Sequence, residues 1–132
     1  TKTPLRPIFH LAAIIGPELP VLDIRQNFGD TDMLVKTMDQ GRDLARCLGD
    51  RRVSLMRGHG CVVAGSNVKE VVMASVYLQV NAGLLLESLK LGDVEYMTTG
   101  EITEMSASQV NPGIQHRPWE YWAKRAGRDR DA

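Results

Sequence analysis

The segment from Val68 to about Leu91 constrains this chain more than any other. Apolar or small residues at Val71, Val72, Ser75, Leu78, Ala82, Leu85, Leu86 and Leu89 recur at the three- and four-residue spacing of one broad helix face, broken only by Lys69, Glu70, Gln79, Asn81, Glu87 and Lys90. Asn67 offers a side-chain acceptor to the first-turn amides, and Glu70 stands three residues later, an asparagine version of the capping box. The helix therefore starts at Val68, and Gly92-Asp93 ends it. So wide an apolar stripe has to be covered by a sheet, and it has room to touch a second subunit as well.

The sheet is expected just upstream. In Val53 to Gly65, VSLMRGHGCVVAG, the runs VSLM and CVVA read as strands on either side of RGHG. His59 lies between two glycines, which let the backbone turn sharply and bring no side chain to compete with the imidazole. Two readings stay open: a hairpin-loop histidine whose glycines supply positive φ, or a ligand held at a strand tip. Arg57, two residues earlier, shares the face of His59 if the backbone is extended; it is either an ordinary ion-paired arginine or a two-pronged grip on a carboxylate or phosphate.

Ile8 to Ile15 (IFHLAAII), bounded by Gly16-Pro17, is expected to be a strand. His10 inside it is either a core histidine bonded to backbone or a functional group. After the loop GPELP, Val21 to Arg25 (VLDIR) alternates as a half-buried strand does. Thr31 is expected to cap a helix whose buried face is Leu34, Met38, Gly41, Ala45 and Leu48, stopped by Gly49. Thr99 to about Ser108 reads as another helix. Asn111-Pro112-Gly113 reads as a turn, followed by a terminal helix from Pro118 to about Arg125 and a frayed GRDRDA end. The sum is an α/β fold, a sheet flanked by helices in α/β/α layers. With 132 residues, 43% of them hydrophobic, it is one domain.

Sixteen basic residues balance sixteen acidic ones, so no overall field draws nucleic acid or an anionic membrane to the surface. Two cysteines without a CxxC give neither a disulfide framework nor a zinc ribbon, which fits a cytoplasmic setting. No secretion signal or membrane span is read from the apolar runs. The opening TKTPLRP reads as an extended connector from a preceding element. The three histidines, His10, His59 and His116, form no HxH or HxxxH, and no phosphate loop of the Walker or dinucleotide type is present. Cys61 is set aside as a partner of His59 because neighbouring strand residues alternate between faces. The methionines and the Trp119/Trp122 pair are packing residues.

The run VSLMRGHGCVVAGSNVKEVVMASVYLQVNAGLLLESL resembles the C-terminal half of the class II aldolase/adducin family: apolar strand, His-Gly, second strand, Gly, polar cap, long helix. Glu70-Val71 stands where the family has Glu-Ala. The resemblance implies that His59 is the last of three histidines binding a divalent metal, zinc foremost, with manganese or iron as alternatives. It also implies that the other two, in an HxH, and the acid/base carboxylate lie upstream of Thr1. Residues 1–132 are then the C-terminal portion of a single, incomplete domain whose partner is the missing N-terminal half of the same protein. The implied activity is metal-dependent carbon–carbon cleavage of a small-molecule substrate through an enolate-type intermediate, with Arg57 or His10 orienting its anionic group, in a homo-oligomer, by resemblance a tetramer. RPIFH and RPWEYW lean toward the branch that decarboxylates hydroxylated aromatic acids. A sugar-phosphate aldolase or epimerase, and a non-catalytic adducin-like interaction module, are the alternatives.

Overall fold

The computed structural model describes residues 3–127. A small sheet in the order β1-β2-β3 is formed by β1 (Val21–Leu22), β2 (Val53–Met56) and β3 (Gly60–Val63). β1 runs parallel to β2, with Val21 beside Leu55, while β2 and β3 are antiparallel from Val53/Val63 to Met56/Gly60. Between β1 and β2 come a single helical turn, α1 (Arg25–Phe28), and α2 (Met38–Leu48), which packs on both strands. After β3 the chain is helical: α3 (Val68–Leu89), α4 (Thr99–Gln109) and α5 (Pro112–Arg125). The α/β expectation holds, with the sheet confined to these short strands.

α3 begins where the sequence places it. Asn67 accepts from the Glu70 amide at 2.9 Å. The reciprocal half of the expected box is absent, because the Glu70 carboxylate turns away to accept from the Ser66 amide at 2.9 Å and from Arg52 Nε at 2.5 Å. Glu70 is buried. Burial opposes its ionisation, but the hydrogen bonds from Ser66 and Arg52 outweigh that and lower its pKa. The pair ties the start of α3 to the base of β2. By length and composition α3 could cross a membrane. One face, including Met73, Ala74, Leu78, Asn81 and Leu85, is nonetheless buried against the rest of the chain, as in the core helix of a globular domain.

The expected strand at Ile8–Ile15 is not one. Residues 6–9 run extended, and His10–Ile15 forms a 3-10 helix that buries Ala12, Ala13, Ile14 and Ile15. An apolar run of this length fits either conformation, and the hydrogen bonds that decided it come from distant side chains. Asn81, fully buried in mid-α3, donates to the Arg6 carbonyl at 2.8 Å and accepts from the Ile8 amide at 3.0 Å. Gln109 of α4 donates to the Leu11 carbonyl at 2.9 Å. Ile14 and Ile15 then join Val53, Met73, Ala74 and Leu78 in the core, rimmed by Phe9, Tyr77 and Trp122.

Three further boundaries move. VLDIR is strand only over Val21–Leu22, because Asp23 accepts from the Arg25 amide at 3.2 Å and turns the chain into α1. α2 starts at Met38, not Thr31: Thr37 and Gln40 make a complete capping box, and Met38, expected inside, is 73% exposed while Asp43 is buried. α5 starts at Pro112, because Asn111 accepts from the Gly113 amide at 2.9 Å and puts proline in the first turn, leaving Pro118 inside the helix. Trp122 packs edge-on to Tyr77 at 5.8 Å and Lys69 lies over Trp119 at 5.7 Å, so the aromatic tail covers α3 of its own chain. The tail expected to fray lies, from residue 128 on, outside the described residues.

Candidate functional site

The β2–β3 turn is built from Arg57, Gly58 and His59. The His59 amide donates to the Met56 carbonyl at 3.1 Å, closing the hairpin. Gly58 has φ 68° and Gly60 φ 152°, both in the region that favours glycine. A Cβ at Gly58 would also sit 2.9 Å from Met33 Sδ, so that side chain would have to shift. The glycines thus place the imidazole at the tip of the sheet, exposed and without a hydrogen-bond partner among the described residues.

His59 forms part of the wall of a cleft of about 1370 Å³. The other walls are the chain from Thr3 to Arg6, the loop Pro17–Val21 and the carboxyl-terminal part of α3, where Ala82, Leu85, Leu86 and Leu89 make an apolar side. Arg57 is in the same wall, its amide donating to the Leu22 carbonyl at 2.9 Å and its Nε lying 2.9 Å from Asp23 Oδ1. Asp23 is shared with Arg25 Nη2 at 2.7 Å. Hydrogen bonds from Arg25 first, then Arg57, hold the Asp23 carboxyl well below the usual carboxylate range, so it is ionised at neutral pH.

The structure brings His59 and Arg57 to one cleft and leaves His10 outside its wall. His10 is not a core residue: it is exposed at the start of the 3-10 helix, its ring edge-on to Phe9 at 6.3 Å. His116 is exposed too, 3.2 Å from Glu120 one helical turn on. Among the described residues no group of three or more histidine, cysteine or acidic side chains is placed to hold a metal ion. One unbonded imidazole at a cleft has the right donor chemistry, but these residues by themselves do not make a metal centre. Sequence reasoning passed over Asp23, Arg51 and Arg6. The Asp-x-Arg spacing at 23–25 was a legible signal for the first; Arg51 and Arg6 reach the cleft only through the tertiary fold.

A decarboxylase, tropJ, of Talaromyces stipitatus is 30% identical over 102 residues, 69% of this chain and 38% of that protein. An L-fuculose 1-phosphate aldolase structure superposes with a TM-score of 0.64 at 16% identity, covering 81% of this chain and 47% of that one, which shows a shared fold. The chain thus spans about 38% of the curated relative and about 47% of the solved neighbour. The sequence profile described as Class II Aldolase and Adducin N-terminal domain matches residues 1–86, well over half of the chain. The chain belongs to the class II aldolase and adducin family.

Proposed function

We propose that this chain supplies the His59 hairpin of a divalent-metal carbon–carbon lyase that decarboxylates a hydroxylated aromatic acid. The observation that carries the reading is an imidazole presented by two positive-φ glycines, with no partner among the described residues, in the wall of a cleft that is apolar on its α3 side and bears arginines. Apolar walls such as Leu55, Leu85 and Leu86 suit a flat, carbon-rich ligand. A polyhydroxylated sugar phosphate would leave hydroxyls unpaired against them. This favours the decarboxylase over the aldolase reading, as does the identity with a decarboxylase.

In this reading His59 is one donor to the cation, zinc first and manganese or iron as alternatives; the other donors and the acid/base carboxylate come from the longer polypeptide. The cation, when bound, supplies Lewis acidity for charge developing on substrate oxygens. Arg57, held in place by Asp23, contributes positive charge to the cleft and sets the approach of an anionic ligand. Cleavage leaves the electron pair of the carbon–carboxylate bond on the ring carbon, which takes up a proton, and the carboxyl group departs as carbon dioxide. Exposed apolar residues outside the cleft wall, Leu84 at 44% and Leu91 at 92%, support assembly into a homo-oligomer.

The test is elemental analysis of the complete gene product and its His59→Ala variant, with assays for carbon dioxide release from dihydroxybenzoates and aldehyde release from ketose phosphates. Loss of metal with His59→Ala together with carbon dioxide release by the parent is expected. Equal metal content in the two proteins overturns the reading, and aldehyde release alone replaces it with the aldolase one.

A further inference from the structure

We propose that Arg6 is the residue that grips the anionic group of the ligand in this cleft, and that this group is a carboxylate. The inference rests on the cleft being the substrate site, as proposed above, and it assigns a role to a residue that the resemblance includes in the RPIFH run without giving it one.

Among the described residues three arginines line the cleft: Arg6, Arg51 and Arg57. Two already have carboxylate partners. Arg51 Nη2 lies 3.3 Å from Glu18 and Arg57 Nε 2.9 Å from Asp23. Arg6 has none among the described residues; its guanidinium carbon lies 5.0 Å from the centre of the Tyr96 ring, a contact that uses no N–H donor in a hydrogen bond. Among the described residues it is therefore the cleft arginine whose charge and in-plane donors are uncommitted.

Its backbone is also anchored from far along the chain. Asn81 holds the Arg6 carbonyl and the Ile8 amide from inside the core, and the Met97 amide donates to the Pro7 carbonyl between them at 3.1 Å. Pro7 is fully buried and fixes its own φ. The tyrosine beneath the guanidinium comes from the same 94–98 segment that supplies the Met97 bond. A cation positioned this way loses little further freedom when it binds, the condition for strong and oriented recognition.

The chemistry of the ligand follows from the charge and the walls. A planar guanidinium matches a carboxylate in a bidentate fork, one uncommitted cation against one monoanion. A phosphate monoester approaches two negative charges near pH 7 and calls for more than one free cation. The remainder of the ligand faces apolar side chains, Leu5, Leu19 and Leu86 among them, so the carboxylate is carried on an apolar or aromatic frame.

Calorimetric titration of the complete gene product with 2,3-dihydroxybenzoate, catechol and inorganic phosphate tests this, using Arg6→Gln and Arg6→Lys. Loss of a charge-assisted bidentate pair predicts dihydroxybenzoate binding weakened roughly 10- to 100-fold in Arg6→Gln. Catechol, which lacks the carboxylate, is expected to bind all three proteins alike, metal content is expected to stay constant, and Arg6→Lys to recover part of the lost affinity. Equal weakening of both aromatic probes, or of neither, overturns the assignment of Arg6 while leaving the lyase reading intact. Phosphate bound more tightly than dihydroxybenzoate overturns the carboxylate in favour of a phosphoester. Failure of the parent protein to bind either aromatic probe overturns the cleft as the substrate site, and this inference with it.

Discussion

Two segments meet at the cleft and are held there by opposite means. The turn at Arg57–Gly60 is fixed mainly by its own neighbours, the Met56–Gly60 register, a bond from the His59 amide to the Met56 carbonyl and two glycines in the left-handed half of φ space, with Arg57 alone reaching to Leu22 and Asp23. The strap from Arg6 to Ile15 is fixed by side chains far away in sequence. Asn81 is 75 residues from Arg6, and Gln109 is 98 residues from Leu11. Both segments present a basic side chain to the same cavity, Arg57 with His59 on one side and Arg6 on the other. The difference teaches where stability and ligand recognition are coupled. A change in the turn touches the site and little else, whereas a change under the strap reaches the site through the core.

The largest effect that sharpens this contrast is expected from Asn81→Ala. It removes both partners of the strap and leaves the Arg6 carbonyl and the Ile8 amide unpaired beside the core, a loss of about 2–4 kcal/mol measured by urea unfolding. Hydrogen exchange in α3 below Asn81 and in β2–β3 should be far less perturbed than at Ile8 through Ile15. Uniform loss of protection would mean that the strap and the hairpin form one cooperative unit and would erase the distinction.

An intermediate effect is expected from acid. Glu70 and Asp23 both have folded-state pKa values below their ordinary 4.5 and 3.8. Each contributes stability that is fully present above those ordinary values and is lost as pH falls through the lower, folded-state values. The losses differ in kind. Protonating Glu70 breaks the buried link from Arg52 that ties β2 to α3, whereas protonating Asp23 frees the exposed Arg57 and Arg25. Unfolding midpoints of the parent and Glu70→Gln should therefore converge as pH falls through the lowered folded-state value of Glu70, while those of Asp23→Asn stay closer to the parent at every pH. A gap between parent and Glu70→Gln that persists unchanged into acid would show that the carboxylate's charge is not what holds α3.

Gly58→Ala is expected to have the smallest effect on stability, about 1 kcal/mol for a non-glycine residue at positive φ. The Cβ would press on Met33 Sδ, the far end of a flexible side chain that can move. Its reach should stay local, with the imidazole displaced and the urea midpoint barely lowered. A loss as large as that of Asn81→Ala would show that the turn, and not only the strap, is part of the core.

The same contrast explains what could be read in advance. The strands at Val53 and Gly60, their histidine between glycines and the start of α3 at Asn67 follow from short-range rules of turn, cap and period, and the structure reproduces them within a residue. Ile8–Ile15 was misread as a strand because an apolar run of eight residues carries no sign of where its amides will bond, and side-chain amides, not a neighbouring strand, took up the bonds at Ile8 and Leu11. α2 was begun too early because Thr31 and Thr37 are both plausible caps. What distinguishes them is Gln40, placed to return the bond to Thr37, with Met33 at φ 64° interrupting the chain between.

Of the site, His59 and Arg57 were legible because a glycine pair and a two-residue spacing are local facts. Arg6 was not: it opens the RPIFH run, but nothing beside it in the chain gives the arginine a role. Its setting depends on Asn81, Tyr96 and Met97, and its lack of a carboxylate partner among the described residues is known only once Glu18 and Asp23 are seen to have gone to other arginines. The sequence by itself determined the hairpin, the long capped helix and the imidazole offered between glycines, because hydrogen bonds and φ preferences within a few residues are enough to set them. Only the tertiary structure decided which polar side chains hold the amino-terminal strap and which cleft cation has no carboxylate partner among the described residues. Those outcomes depend on pairing among groups tens of residues apart, where each partner taken by one residue is denied to another.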